Sequence, residues 1–104
     1  MSEIQNKAVA LAAQSEGDLA LQAASHRSRL FLERALDLYF ALGGDKATAL
    51  ALASAERPAA RLRVDSAVAN VMIEVAVASH LNDIDMVQAT YNRLDAELEI
   101  PHRA

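Results

Sequence analysis

The chain has no cysteine, which excludes a disulfide framework and a thiolate zinc site. Aromatic residues are few, two Phe and two Tyr, and there is no Trp. Glycine is scarce, and six of the thirteen β-branched residues fall in 64–77. No basic cluster occurs and the net charge is −4, so binding nucleic acid by neutralising phosphates is not expected. No apolar stretch reaches membrane-spanning length without a charge, and no membrane partner is expected. The N-terminal "MSEIQNKAVALAAQ" carries Glu3 and has too short an apolar run for a signal peptide, so a cytoplasmic location is expected.

What is present is apolar and helix-forming. The apolar share is 53%. Alanine, the best helix former and small enough to let helices pack closely, makes up roughly a fifth of the chain, far above average usage. An all-α protein is the expectation. The 104 residues suffice for one domain with a modest core, so 1–104 is read as a single helical domain.

Start and stop signals divide the chain. Ser2 is an N-cap for a short helix over "SEIQNKAVALAAQ", and Gly17-Asp18 is a weak break after which Asp18 can cap. A long helix is expected from Leu19 to Leu42, its second half apolar over a wide face, stopped by a left-handed cap at Gly43-Gly44. Asp45 caps a short helix over roughly residues 46 to 56, ended by Arg57-Pro58. A fourth helix runs from about Leu62 to His80. Val64, Val68, Val71, Met72 and Val75 form its stripe, Ile73 and Val77 add apolar groups elsewhere, and a central place is expected for it. "LNDID" makes the next turn, with Asn82 or Asp83 as cap, and a last helix carries Ile84, Val87, Tyr91, Leu94 and Leu98 until Pro101. No low-complexity linker or convincing repeat stands out. The sum is a bundle of four or five helices with short connections. Wide apolar faces on so small a chain point to burial between subunits, as a homodimer or higher homo-oligomer.

"FLERALDLYFALGG" (31–44) and "AVANVMIEVAVASHLNDIDMVQA" (67–89) together resemble the all-α nucleoside triphosphate pyrophosphohydrolases of the MazG type, more narrowly their short phage members. The likeness covers about residues 29–98 and rests on the order and spacing of features; residues 1–17 form an N-terminal extension to it. It implies the all-α pyrophosphatase fold, with carboxylates from two helices (E-E-x-x-E and E-x-x-D) holding Mg²⁺. The metal would bridge a triphosphate and activate the water that releases nucleoside monophosphate and pyrophosphate.

Carried over by position, Glu33 matches the first Glu, Arg34 stands at the second, and Asp37 at the third. Ala67 and Asn70 stand where the second motif has Glu and Asp. Asp85 matches the Asp of the family's G-[IL]-D turn, Arg93 the basic residue that contacts phosphate, and Glu97 replaces an Asn. Two of five carboxylates remain, with a cation among them that opposes Mg²⁺. The resemblance thus implies a degenerate site.

Each candidate also has a plain structural reading. Glu33 and Asp37, four apart, share a helix face that is either metal-binding or simply exposed beside Arg29 and Arg34. Glu74, inside "VMIEVAV", either replaces a lost ligand on one stripe with Ala67 and Asn70, or pairs with an arginine such as Arg34, or faces solvent. Asp65 and Asp85 fit first-turn acids, and His80 a helix end. His26, His80 and His102 show no metal spacing, and Gly43-Gly44 is a helix stop, not a phosphate loop. Two functions follow. An enzyme would use Glu33, Asp37, Asn70 and Glu74 for Mg²⁺ and Arg93 with Asp85 toward a nucleotide. A helical interaction or nucleotide-binding protein would keep the scaffold without hydrolysis and engage a partner such as a host protein.

Overall fold

The computed structural model describes residues 2–57 and 63–99. Five helices run through them: α1 Glu3–Glu16, α2 Ala24–Ala41, α3 Lys46–Ser54, α4 Val64–Leu81 and α5 Met86–Glu99. A single 3-10 turn, Leu19–Leu21, lies between α1 and α2. No strand occurs among the described residues, so the all-α class holds and is consistent with a helical bundle. Pro58 and Pro101, expected as helix stops, the start at Leu62 and His102 lie outside the described residues.

Local chemistry explains most boundaries. Ser2 and Gln5 form a capping box: Ser2 Oγ accepts the Gln5 N–H and Gln5 Oε1 accepts the Ser2 N–H, both at 3.2 Å. The expected long helix over 19–42 is broken. Asp18 does cap, but its Oδ1 accepts from the Ala20 N–H at 2.9 Å, two positions on, and this closes one tight 3-10 turn. Ala23 is then extended (φ −69°, ψ 145°), brings no side-chain cap, and α2 starts at Ala24. An apolar rhythm passes unchanged through so short a break, which is why periodicity did not register it.

Two elbows follow one design. At the end of α2, the Gly44 N–H bonds to Tyr39 O and the Gly43 N–H to Phe40 O, both at 3.0 Å, with Gly43 at φ +95°. This is a Schellman closure with the left-handed residue that it requires. Asp45 Oδ1 then accepts the Thr48 N–H at 2.7 Å and opens α3. At the end of α4, the Ile84 N–H bonds to Ser79 O (2.8 Å) and the Asp83 N–H to His80 O (3.2 Å), with Asp83 at φ +55°. Asp85 Oδ1 then accepts the Gln88 N–H at 2.9 Å and opens α5. The cap of α5 is therefore Asp85 and not Asn82 or Asp83. Asn82 turns back to donate to Ala78 O, and Asp83 occupies the left-handed position. At the first elbow the Tyr39 ring covers Gly44 so closely that a Cβ there would overlap it, and the Tyr39 hydroxyl donates to Asp45 O at 3.0 Å.

The described residues fall into two compact units, one of 2–22 with 72–99 and one of 23–57 with 63–71. In the first, α1 lies along α5. Tyr91 Oη donates to Glu3 Oε2 at 3.1 Å, and Lys7 Nζ donates to Asp95 Oδ1 at 2.6 Å. Both partners step four residues in the same direction, so the two helices run parallel. Lys7 also stands over the Tyr91 ring, 5.2 Å from its centre. Leu94 of α5 is the one buried apolar side chain among the described residues. In the second unit, α2 and α3 leave their elbow without packing on each other. No residue of helix α4, expected at the centre, is fully buried. Its residues are exposed or half-buried, with Val64 80% and Ile73 58% exposed. By length and composition it is also apolar enough to cross a membrane, with Asp65 and Glu74 within it.

Gly43→Ala is expected to lower stability by about 1–2 kcal/mol, because an L side chain at positive φ meets the following carbonyl. Asp83→Gly relieves the same strain at the second elbow and is expected to raise stability by roughly 0.5–1 kcal/mol. Urea unfolding followed by circular dichroism at one protein concentration measures both. Unchanged midpoints would contradict the elbow geometry. The α1–α5 contact is also expected to weaken in alkali. The bond from Asp95 foremost raises the Lys7 pKa above its ordinary 10.5, and desolvation foremost, then Glu3, raises Tyr91 above 10.0. A raised folded-state pKa gives stability that is complete below the unfolded value and lost as pH climbs through the folded one. Both groups therefore act in the same direction above about pH 10. The thermal midpoint should fall there, and fall less in Tyr91→Phe; a flat profile to pH 11.5 would contradict this.

Candidate functional site

Helix α2 places Glu33 and Asp37 one turn apart, and both are exposed. Each carboxylate faces an arginine of its own helix. Arg29 Nε lies 3.1 Å from Glu33 Oε1, and Arg34 Nη1 lies 3.5 Å from Asp37 Oδ2. Arg34 occupies the position where the family resemblance leads one to expect an acid, and its guanidinium turns to Asp37. These pairs sit in water, with side chains 54–79% exposed, so each is worth about 0.3–0.5 kcal/mol. They leave this stretch close to neutral: two cations beside two anions in about two and a half turns.

Asn70 and Glu74 lie four apart on α4 and share one of its faces, both exposed. The concern that Glu74 is an acid among apolar neighbours is resolved by that exposure, since a solvated carboxylate carries no burial cost. Ala67, at the position of a family Glu, is half-buried and offers no oxygen from its side chain. Asp85 is engaged in opening α5. Arg93, placed like a phosphate-contacting residue, has its Nε 3.1 Å from Glu97 Oε1, an i,i+4 pair on α5. Asp65 lies in the first turn of α4, with Oδ2 3.1 Å from Arg63 Nη2, and His80 lies in the last turn of that helix. Gly43-Gly44 is wholly used in closing α2, as its spacing implied.

Mg²⁺ requires several oxygens converging on one point. Among the described residues, no three of His, Cys, Asp or Glu come together in a way that could hold a metal ion. Two carboxylates a turn apart, each faced by an arginine, do not fit the ion that the resemblance implies. Within the second unit, α2 and the first half of α4 do not pack against each other, so Glu33 and Asp37 form no packed cleft with Asn70. The cluster that sequence reasoning missed is Glu3, Lys7, Tyr91 and Asp95. Only its Glu3–Lys7 member, an i,i+4 pair at 3.8 Å, carries a local signal. The other members come from the opposite end of the chain.

Mg²⁺ titrated into the chain to millimolar concentration is expected to give no saturable heat. Glu33→Gln and Asp37→Asn are each expected to shift stability by no more than about 0.5 kcal/mol. Saturable Mg²⁺ binding that disappears in Asp37→Asn would contradict this assignment. No family model, curated protein or solved structure matches the chain.

Proposed function

We propose that the chain is a helical interaction protein, arranged in the helix order of the MazG-type pyrophosphohydrolases but without their Mg²⁺-dependent hydrolysis. The supporting observation is the exposure of its large apolar side chains. Phe31, Leu32 and Phe40 on α2, and Val68, Met72 and Ile73 on α4, all stand open to solvent. Scattered apolar residues are ordinary on protein surfaces, but so many exposed on two helices of 18 residues each offer apolar surface to a partner. The occupant is protein. An apolar helix face offers a triphosphate nothing, and the charge balance of −4 disfavours polyanions.

The losses among the acidic residues agree with this reading. Phosphoryl chemistry of this class needs negative side chains to gather the metal and a cation at the phosphate. Here Arg34, Ala67 and Asn70 stand at three of the five acidic positions, and Arg93 is paired with Glu97. What remains useful is the scaffold, whose apolar helices recognise other helices.

Incubation with Mg²⁺ and a panel of canonical and modified nucleoside triphosphates is expected to release pyrophosphate no faster than protein-free buffer does. Turnover above that level, lost in Asp37→Asn, would replace this reading with the enzymatic one.

A further inference from the structure

The geometry points to a device built into the first unit: α1 is a releasable strap over the apolar stripe of α5, and an ionic clasp centred on Lys7 decides whether it stays closed. Within this unit α1 is the helix packed on α5. It covers Leu94, the buried apolar side chain. Tyr91 and Leu98, three positions before and four after on the same stripe, are half-buried. From α1 the seam receives Ile4, Lys7 and Leu11, spaced by three and four and all half-buried. Its apolar part is thus two side chains, neither fully buried, with the lysine between them. Lys7 Nζ meets three groups at once: Asp95 Oδ1 at 2.6 Å, Glu3 Oε1 at 3.8 Å and the Tyr91 ring at 5.2 Å from its centre. Tyr91 Oη donates in turn to Glu3 Oε2 at 3.1 Å.

The contact is separable because α1 satisfies its own backbone. The Ser2–Gln5 capping box closes its first turn, and the Gly17 N–H bonds to Ala13 O at 3.0 Å at its end. Among the described residues no backbone hydrogen bond joins α1 to α5, so release breaks side-chain contacts alone. A pivot lies directly after the helix. Gly17 stands at φ +87°, with nothing within 4 Å of where a Cβ would be, so the backbone is free to turn there. The clasp is also open to control from solution. The Lys7 and Asp95 side chains are 31% and 45% exposed, and dissolved ions screen a pair at that depth. Apolar burial carries no charge to screen, so only the polar half of the seam answers to salt. Once released, α1 has 14 residues, a length at which an isolated helix is marginal in water. Its amides therefore report opening. The occupant of the α5 stripe is α1 itself, and the stripe is uncovered only while the strap is open.

Hydrogen exchange of the full chain, followed by mass spectrometry, tests the strap. Raising sodium chloride from about 0.1 M to about 1 M shortens the screening length from ~10 Å to ~3 Å. The amides of α1 are then expected to exchange about two- to fivefold faster, the worth of one partly exposed ion pair, while those of α2 and α3 change by less than about twofold. Lys7→Glu sets a carboxylate against both Asp95 and Glu3 and is expected to speed α1 exchange by about tenfold or more at low salt. Adding Asp95→Lys to it restores the attraction with its sign reversed and is expected to bring the rate back to within about threefold of wild type. If Lys7→Glu fails to fold, the salt series on the wild-type chain decides. Three results would overturn the strap: α1 exchange that does not respond to salt, α1 amides that exchange only in one step with those of the other helices, or a double variant no slower than Lys7→Glu alone. Each would leave the non-enzymatic reading standing, which pyrophosphate release tests separately.

Discussion

At residues 42–45 and again at 82–85, the chain closes one helix and opens the next within four residues, and everything else follows from that constraint. A left-handed residue lets two N–H groups reach back to the last carbonyls of the finished helix, and an aspartate then takes an N–H of the new one. The backbone is thus satisfied locally, by bonds that span at most five positions. The same geometry sends α3 away from α2, so the first elbow does not fold its helices onto each other. Backbone bonding is complete where apolar burial is not.

That imbalance sets the energetics. Ordering a residue costs about 1–2 kcal/mol of backbone entropy, and burial must offset most of it. Helices of 9 to 18 residues sit near the length at which isolated helices are marginal in water, so packing normally supplies their stability. Here α1 and α5 pack, pinned by Lys7–Asp95 and Tyr91–Glu3, and Leu94 of α5 is buried. The apolar rows of α2 and α4 receive no comparable cover among the described residues. The surface ion pairs do not make up the difference, since they lie in water and are weak.

The acidic residues illustrate how one residue type takes its role from its surroundings. Asp45 and Asp85 accept backbone N–H bonds at helix starts, and Thr48 foremost holds the Asp45 carboxyl below its ordinary 3.8. Asp95 holds a lysine from the far end of the chain. Glu33 and Asp37, spaced as a metal pair would be, face arginines on their own helix instead. Spacing established that the two could share a face. It could not establish whether other oxygens would converge on that face, since convergence requires a second element to arrive there.

The sequence by itself determined the helices, most of their ends and the capping residues Ser2, Asp18 and Asp45, because each depends on neighbours within a few positions. It misplaced the start of α2, where an extended Ala23 with no side-chain cap breaks the run, and the cap of α5, where the choice turned on which of several nearby polar residues took the left-handed conformation. Only the tertiary structure decided that α1 runs parallel to α5, that α4 lies exposed, and that one elbow occurs twice behind dissimilar residues. The physical reason is that a helix carries the same apolar period whether its stripe meets its own chain, a copy of it, or water.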